Sequence, residues 1–176
     1  MATITMEMVK ELRERTGAGI KDCKDILTQS DGDMKKAIEA LREKGLKVSE
    51  KVASREANEG RVEVYVHSGN RLATLVEVNC ETDFVGRNED FIELCRSLAI
   101  HIAAMNPRYI RAEEVPADVI AESGETPAKY AEQYVLMNQP FVRNASQTIE
   151  DLVKDTVAKV RENIIIRRFV RYEIGG

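Results

Sequence analysis

Val76-Glu-Val-Asn-Cys-Glu-Thr-Asp-Phe-Val85 is the stretch where a strand pattern gives way to a turn. Val76 and Val78 alternate with Glu77 and Asn79, the period of two that a half-buried strand shows. Glu81-Thr82-Asp83 has low strand propensity and favours a turn, so Phe84 stands at a bend. Two uses of that bend fit the residues. The ring can fold back as core while Thr82 or Asp83 caps nearby backbone N–H groups. Alternatively the turn presents Phe84 to another protein, with Asp83 beside it as a hydrogen-bond acceptor. Spacing alone favours the core.

Upstream of the bend, Val62, Val64 and Val66 alternate, Ser68-Gly69-Asn70-Arg71 makes a hairpin turn, and Leu72, Thr74, Val76 and Val78 return as a second antiparallel strand. Downstream, Asn88 caps a helix with Glu89 and Asp90 in its first turn, and Phe91, Leu94, Cys95, Leu98, Ile102 and Met105 form the stripe that covers the sheet. His101 falls off that stripe and reads as surface or half-buried, with no second ligand at metal spacing. Residues 107–145 carry all four prolines and read as a mixed loop with a short helix near Pro127–Met137. Thr148 and Asp151 make a capping-box-like start to a helix carrying Ile149, Leu152, Val153, Val157 and Val160. Ile164–Ile166 lead into a final strand beside the hairpin, with Arg167, Phe169 and Arg171 on one side and Arg168, Val170 and Tyr172 on the other. Arginine interleaved with aromatics can contact RNA, but ordinary solvation or ion pairing is the simpler reading in an acidic chain.

The first 45 residues have a different period. Thr5 caps a helix with Met8, Val9 and Leu12 inward, ended by Gly17-Ala-Gly19. A second helix sets Ile20, Cys23, Ile26 and Leu27 on one face, and Ser30-Asp31-Gly32 turns the chain. A third starts at Asp33, places Met34, Ala37, Ile38 and Leu41 inward, and stops at Gly45 in a C′ position. So thin a core beside an exposed Gly-Ala-Gly loop suggests a docking module, and the residues fit equally well a use of the glycines only for the tight turn between helices. Residues 46–59 read as a charged linker with one helical turn around Val48–Val52. The fold class is therefore α+β: a three-helix module over 1–45, a linker over 46–59, and a core over 60–176 with a small three-stranded antiparallel sheet flanked by helices.

Composition bounds the function. Lys and Arg total 26 against 30 Asp and Glu, a net charge of −4, which disfavours a phosphate-backbone partner. No apolar run approaches a membrane span, and Met-Ala-Thr-Ile-Thr lacks the order of a signal peptide, so a cytoplasmic protein is expected. Cys23, Cys80 and Cys95 are odd in number and far apart, which reads as three small buried residues. Two lone histidines, His67 and His101, with no phosphate loop, HExxH or CxxC, assemble no catalytic site; Gly17-Ala-Gly19 follows a helix and lacks the Lys-Ser/Thr of a P-loop. A binding protein without cofactor or metal is the better class.

Leu12-Arg-Glu-Arg-Thr-Gly-Ala-Gly19, Asp22-Cys-Lys24 and Val78-Asn-Cys-Glu-Thr-Asp-Phe-Val85 closely resemble elongation factor Ts, as do Asn138-Gln-Pro-Phe141, Glu162-Asn163 and Arg167-Arg-Phe169 further on. The resemblance runs end to end, with several motifs in order. It implies a nucleotide exchange factor for the GTPase elongation factor Tu, bound in its GDP and nucleotide-free forms. It also implies a ubiquitin-associated-like N-terminal module. By the same resemblance, Asp83 and Phe84, with Thr82 and Val85 shaping the turn, enter the GTPase domain and displace what holds its Mg²⁺ and the GDP phosphates. The contact stretch of the N-terminal module would be Leu12, Arg13, Thr16, Gly17, Ala18, Gly19, Ile20 and Lys21. Ile20-Lys21 stands where relatives often have two apolar residues, and 121–134 is short for the family. The single core copy implies a homodimer in which a second protomer replaces a missing half. No direct nucleic-acid or membrane partner is implied. The alternative from another class is an adaptor that recruits a helical partner through the three-helix module.

Overall fold

The structure, a computed structural model, describes residues 3–175. Two compact units divide the chain. One reaches to Arg55 and takes in Lys154–Asn163; the other is Glu56–Val153 with the chain from Ile164 onward.

The first unit holds α1 (Met6–Thr16), α2 (Ile20–Gln29) and α3 (Met34–Val52). Thr5 and Asp33 cap α1 and α3 through their side-chain oxygens, which satisfies N–H groups that the first turn leaves open. Val9, Leu12, Cys23, Ile26, Leu27, Ala37 and Leu41 form the core, the set that the helical spacing selects. Ile20 is the exception: it lies at the start of α2 and is 51% exposed. The expected stop of the third helix at Gly45 is wrong, and the residues read as a linker continue the helix to Val52. Gly45 serves close approach rather than termination, because a Cβ placed there would sit 3.1 Å from the Cβ of Ala158. Ala158 belongs to the segment that this unit recruits from far along the sequence, so residues 154–163 depart from the core range of 60–176. Asn163 then closes the end of α3, its Nδ2 donating to the carbonyls of Ala53 at 3.3 Å and Arg55 at 2.7 Å.

In the second unit β1 (Glu59–Val66) and β2 (Leu72–Cys80) form the hairpin, followed by α4 (Asp83–Gly86) and α5 (Glu89–Met105). After these come α6 (Ala117–Ser123), α7 (Pro127–Tyr134), and a ribbon of β3 (Pro140–Phe141) with β4 (Asn144–Thr148). The chain ends with α8 (Ile149–Val160), whose later residues pass into the first unit, and β5 (Ile165–Glu173). The sheet is antiparallel in the order β1-β2-β5. One face, with Val76 and Val78 fully buried, is covered by α5 through Phe91, Leu98 and Ile102; Thr74 Oγ1 donates to the carbonyl of Ala99 across that contact at 2.9 Å. The other face leaves Val62, Val64, Val66, Leu75, Val170 and Tyr172 exposed. Asn88 caps α5, and Thr148 and Asp151 exchange backbone N–H bonds at the start of α8, as their spacing indicates.

His101 is fully buried, contrary to its sequence reading. A single stripe on α5 does not suffice, because residues 139–142 cover a second side of the helix. The His101 Nε2–H donates to Gln139 Oε1 at 3.0 Å, and Nδ1 accepts from the Val142 N–H at 3.2 Å. Burial holds its pKa below the ordinary histidine value, so the ring is neutral. Residues 107–145, expected as mixed loop with one short helix, also hold α6 and the β3–β4 ribbon. Among the described residues no helix is long and apolar enough to cross a membrane.

Candidate functional site

Cys80 ends β2, and the next residues reverse the chain into α4, which is only four residues long. So short a helix has no stability of its own and takes its direction from what anchors it. Thr82 supplies that anchor. Its Oγ1 accepts from the Val85 N–H at 3.4 Å, and its carbonyl accepts from the Gly86 N–H at 3.1 Å and from Cys80 Sγ at 3.1 Å. Val85 is half-buried against the sheet side, while Phe84 is 79% exposed. The core use favoured by spacing is therefore not the one adopted. Asp83 is exposed at the first turn and accepts from Arg87 Nη2 at 2.9 Å, one helical turn later. Thr82, Asp83, Phe84 and Val85 thus form one tethered bend with an apolar ring outermost and a carboxylate beside it.

The stretch from Leu12 to Lys21 is not uniform. Leu12 is wholly buried in the core of the three helices, whereas Arg13 and Lys21 are exposed. Thr16 Oγ1 donates to the Leu12 carbonyl at 2.7 Å and accepts from the Ala18 N–H at 3.3 Å, which fixes the loop entry. Gly17 has φ +67 and ends α1; its N–H donates to the Arg13 carbonyl at 2.7 Å. The left-handed backbone conformation is what favours glycine at 17, since the only close neighbour of an added Cβ is the movable end of the Lys159 side chain. Gly19 starts α2 without a side-chain cap, and Ala18 is half-buried between them.

Sequence reasoning missed what braces this loop. Asp22 accepts from Lys44 Nζ at 2.7 Å and from Arg161 Nη2 at 3.1 Å. The hydrogen bond from Lys44, with Arg161 adding to it, holds the Asp22 carboxyl below the usual range. No local signal marks Arg161 as a partner, because it is 139 positions away in the chain. The final-strand arginines are also engaged within the chain. Arg167 bonds Asn79 and the Ala57 carbonyl, Arg168 pairs with Glu77 at 2.7 Å, and Arg171 bonds the Ala103 carbonyl and pairs with Glu173. The three cysteines are buried; burial pushes the Cys95 thiol up to about 12 and raises that of Cys23. Among the described residues no cluster of three or more His, Cys, Asp or Glu is placed to hold a metal.

These features define the class: an α+β protein that carries a small helical module and a sheet core with an aromatic ring standing exposed at the strand end. The sequence profile described as Elongation factor TS matches residues 3–133. The elongation factor Ts of Herpetosiphon aurantiacus is 48% identical over 99% of this chain and 99% of its own length. Those of Heliobacterium modesticaldum and Carboxydothermus hydrogenoformans are 46% and 47% identical over 98% of this chain and 90% and 89% of theirs. The chain belongs to the elongation factor Ts family.

Proposed function

We propose that this chain is a guanine nucleotide exchange factor for elongation factor Tu, acting in the cytoplasm during translation elongation. The observation that carries the reading is Phe84, a large apolar ring left 79% exposed on a bend that hydrogen bonds hold from both ends. Water is a poor environment for such a ring, and burial in a partner supplies the compensating gain. The wedge of Asp83 and Phe84 enters the GTPase domain and disturbs the partner's Mg²⁺ and phosphate site, while Thr82 and Val85 hold the bend. Arg13, Gly17, Ala18, Gly19, Ile20 and Lys21 form the docking surface of the helical module, with Leu12 and Thr16 beneath it.

Exchange requires no covalent step. The factor binds the nucleotide-free GTPase more tightly than the GDP form, and GDP then binds the complex more weakly by the same factor. A release acceleration of about 10⁴ corresponds to about 5.5 kcal/mol. Burying one phenylalanine gives about 1.5–3 kcal/mol, so Asp83 and the docking module must supply the remainder. The exposed sheet face, with Val64 54% and Tyr172 70% exposed, supports a homodimer in which two such faces cover each other.

The test is release of fluorescent GDP from bacterial elongation factor Tu with and without this protein. Strong acceleration at catalytic amounts is expected. Unchanged release, with the protein folded, overturns the proposal and leaves an adaptor.

A further inference from the structure

Four residues that the wedge contact does not use converge on the strand end from which the bend departs. Gly60 pairs with Asn79 across the β1–β2 ladder. A Cβ on Gly60 would strike the Val78 carbonyl oxygen and come within 2.7 Å of the Asn79 Cα, and its φ of +143 is one that glycine alone accepts easily. Gly86, the last residue of α4, lies against the same strand, since a Cβ there would be 3.5 Å from the Gly60 carbonyl oxygen. The base of the bend is therefore a close backbone-on-backbone contact, beside the bonds by which Thr82 and Cys80 hold the bend itself.

The strand end that carries the bend is held in turn by a side-chain amide and a guanidinium. Asn79 is 8% exposed; its Nδ2 donates to the Glu59 carbonyl at 3.1 Å, and its Oδ1 accepts from Arg167 Nε at 3.1 Å. Arg167 Nη2 also donates to the Ala57 carbonyl at 3.4 Å. Arg167 is the residue that the register skips, because Glu77 pairs with Arg168 and Val78 with Ile166. Such a bulge leaves one residue out of the ladder and re-aims its side chain, which breaks the strict alternation along β5. One arginine on β5 thereby ties the approach to β1, the end of β2 and its own strand together, through the residue that precedes Cys80.

We propose that Arg167 and Asn79 are positioning residues for the Phe84 wedge: they hold the strand end so that α4 presents the ring in one direction. This rests on the reading that Phe84 enters the GTPase. A bend released from the clamp spreads the ring over several directions, and apparent activity falls with the fraction that can insert.

The test uses the full chain with Arg167→Met, Arg167→Lys and Phe84→Ala, measuring GDP release from elongation factor Tu, melting temperature, and amide hydrogen exchange of the free protein. Arg167→Met is expected to lower stimulated release about tenfold. It also speeds exchange of the Val85 and Gly86 amides, and Arg167→Lys, which keeps one donor, recovers most of the loss. In the Phe84→Ala background Arg167→Met causes no further loss, since it acts through the ring. Parent-like release by Arg167→Met while Phe84→Ala is impaired overturns the inference, as does an equal loss in both backgrounds. Should the parent itself fail to speed release, the exchange reading falls, and the amide exchange of Val85 and Gly86 still decides the clamp. If Arg167→Met does not fold, Asn79→Ala is read the same way, because it removes both the acceptor for Arg167 and the donor to Glu59.

Discussion

Phe84→Ala separates the roles of this ring in the free protein and in the complex. With 79% of Phe84 already in water, the fold loses little when the ring is removed, and the stability change should stay within about 0.5 kcal/mol. Complete transfer of a phenylalanine from water to an apolar site is worth about 1.5–3 kcal/mol. The exposed four-fifths still available to a partner therefore represents about 1.2–2.4 kcal/mol. If that gain is realised only as GDP leaves, stimulated release falls about 8- to 60-fold, with a smaller change in complex formation. Stopped-flow release of fluorescent GDP from elongation factor Tu, beside a urea melt of the free variant, reads both quantities. Release within twofold of the parent, with an unchanged melt, refutes an inserted wedge.

Gly45→Leu forces a side chain into the 3.1 Å approach to Ala158 and should destabilise the chain by about 1–3 kcal/mol in a denaturant melt, whereas Gly45→Ala stays close to neutral as helix propensity offsets the tight contact. His101 predicts a pH dependence: its folded pKa lies below the ordinary 6.5, so the unfolded state binds more protons as pH falls through that value. Stability should decline from pH 7.5 toward 5.5, by at most about 1.4 kcal/mol per unit, and this slope should vanish in a folded His101→Gln variant. Val64 lies opposite Leu75, which in turn lies opposite Val170, so Val64→Asp places a carboxylate in the middle row of the exposed sheet face. A dimer joined there loses about 3 kcal/mol or more for each buried unpaired charge and dissociates in light scattering; a surviving dimer rejects that face.

Periodicity carried most of the fold, because the longer helices and β2 bury one side and leave the other to solvent. The alternation of Val62 to Val78 fixed the hairpin, and Thr5, Asp33, Asn88 and Thr148 marked helix starts through local hydrogen bonds. The failures share a cause: the deciding partner is remote in sequence. Gly45 ends a helix as readily as it admits another, and only Ala158 distinguishes the two. His101 becomes core because Gln139 and Val142 reach it across about forty residues. Spacing placed Phe84 at a bend but favoured the ring as core, and the ring instead stands 79% exposed. The reason lies in the hydrogen bonds of Thr82, Val85 and Gly86, which turn the half-buried Val85 inward and leave Phe84 outside.

Fluorine NMR of protein labelled with 4-fluorophenylalanine observes the ring itself. The chain has four phenylalanines, of which Phe91 and Phe141 are buried and Phe84 is by far the most exposed. The Phe84 signal, identified by its loss in Phe84→Ala, should show a full solvent-isotope shift in the free protein. Adding nucleotide-free elongation factor Tu should move that signal and abolish its isotope shift as the ring leaves water. A Phe84 signal that keeps both its position and its isotope shift in the assembled complex contradicts the account.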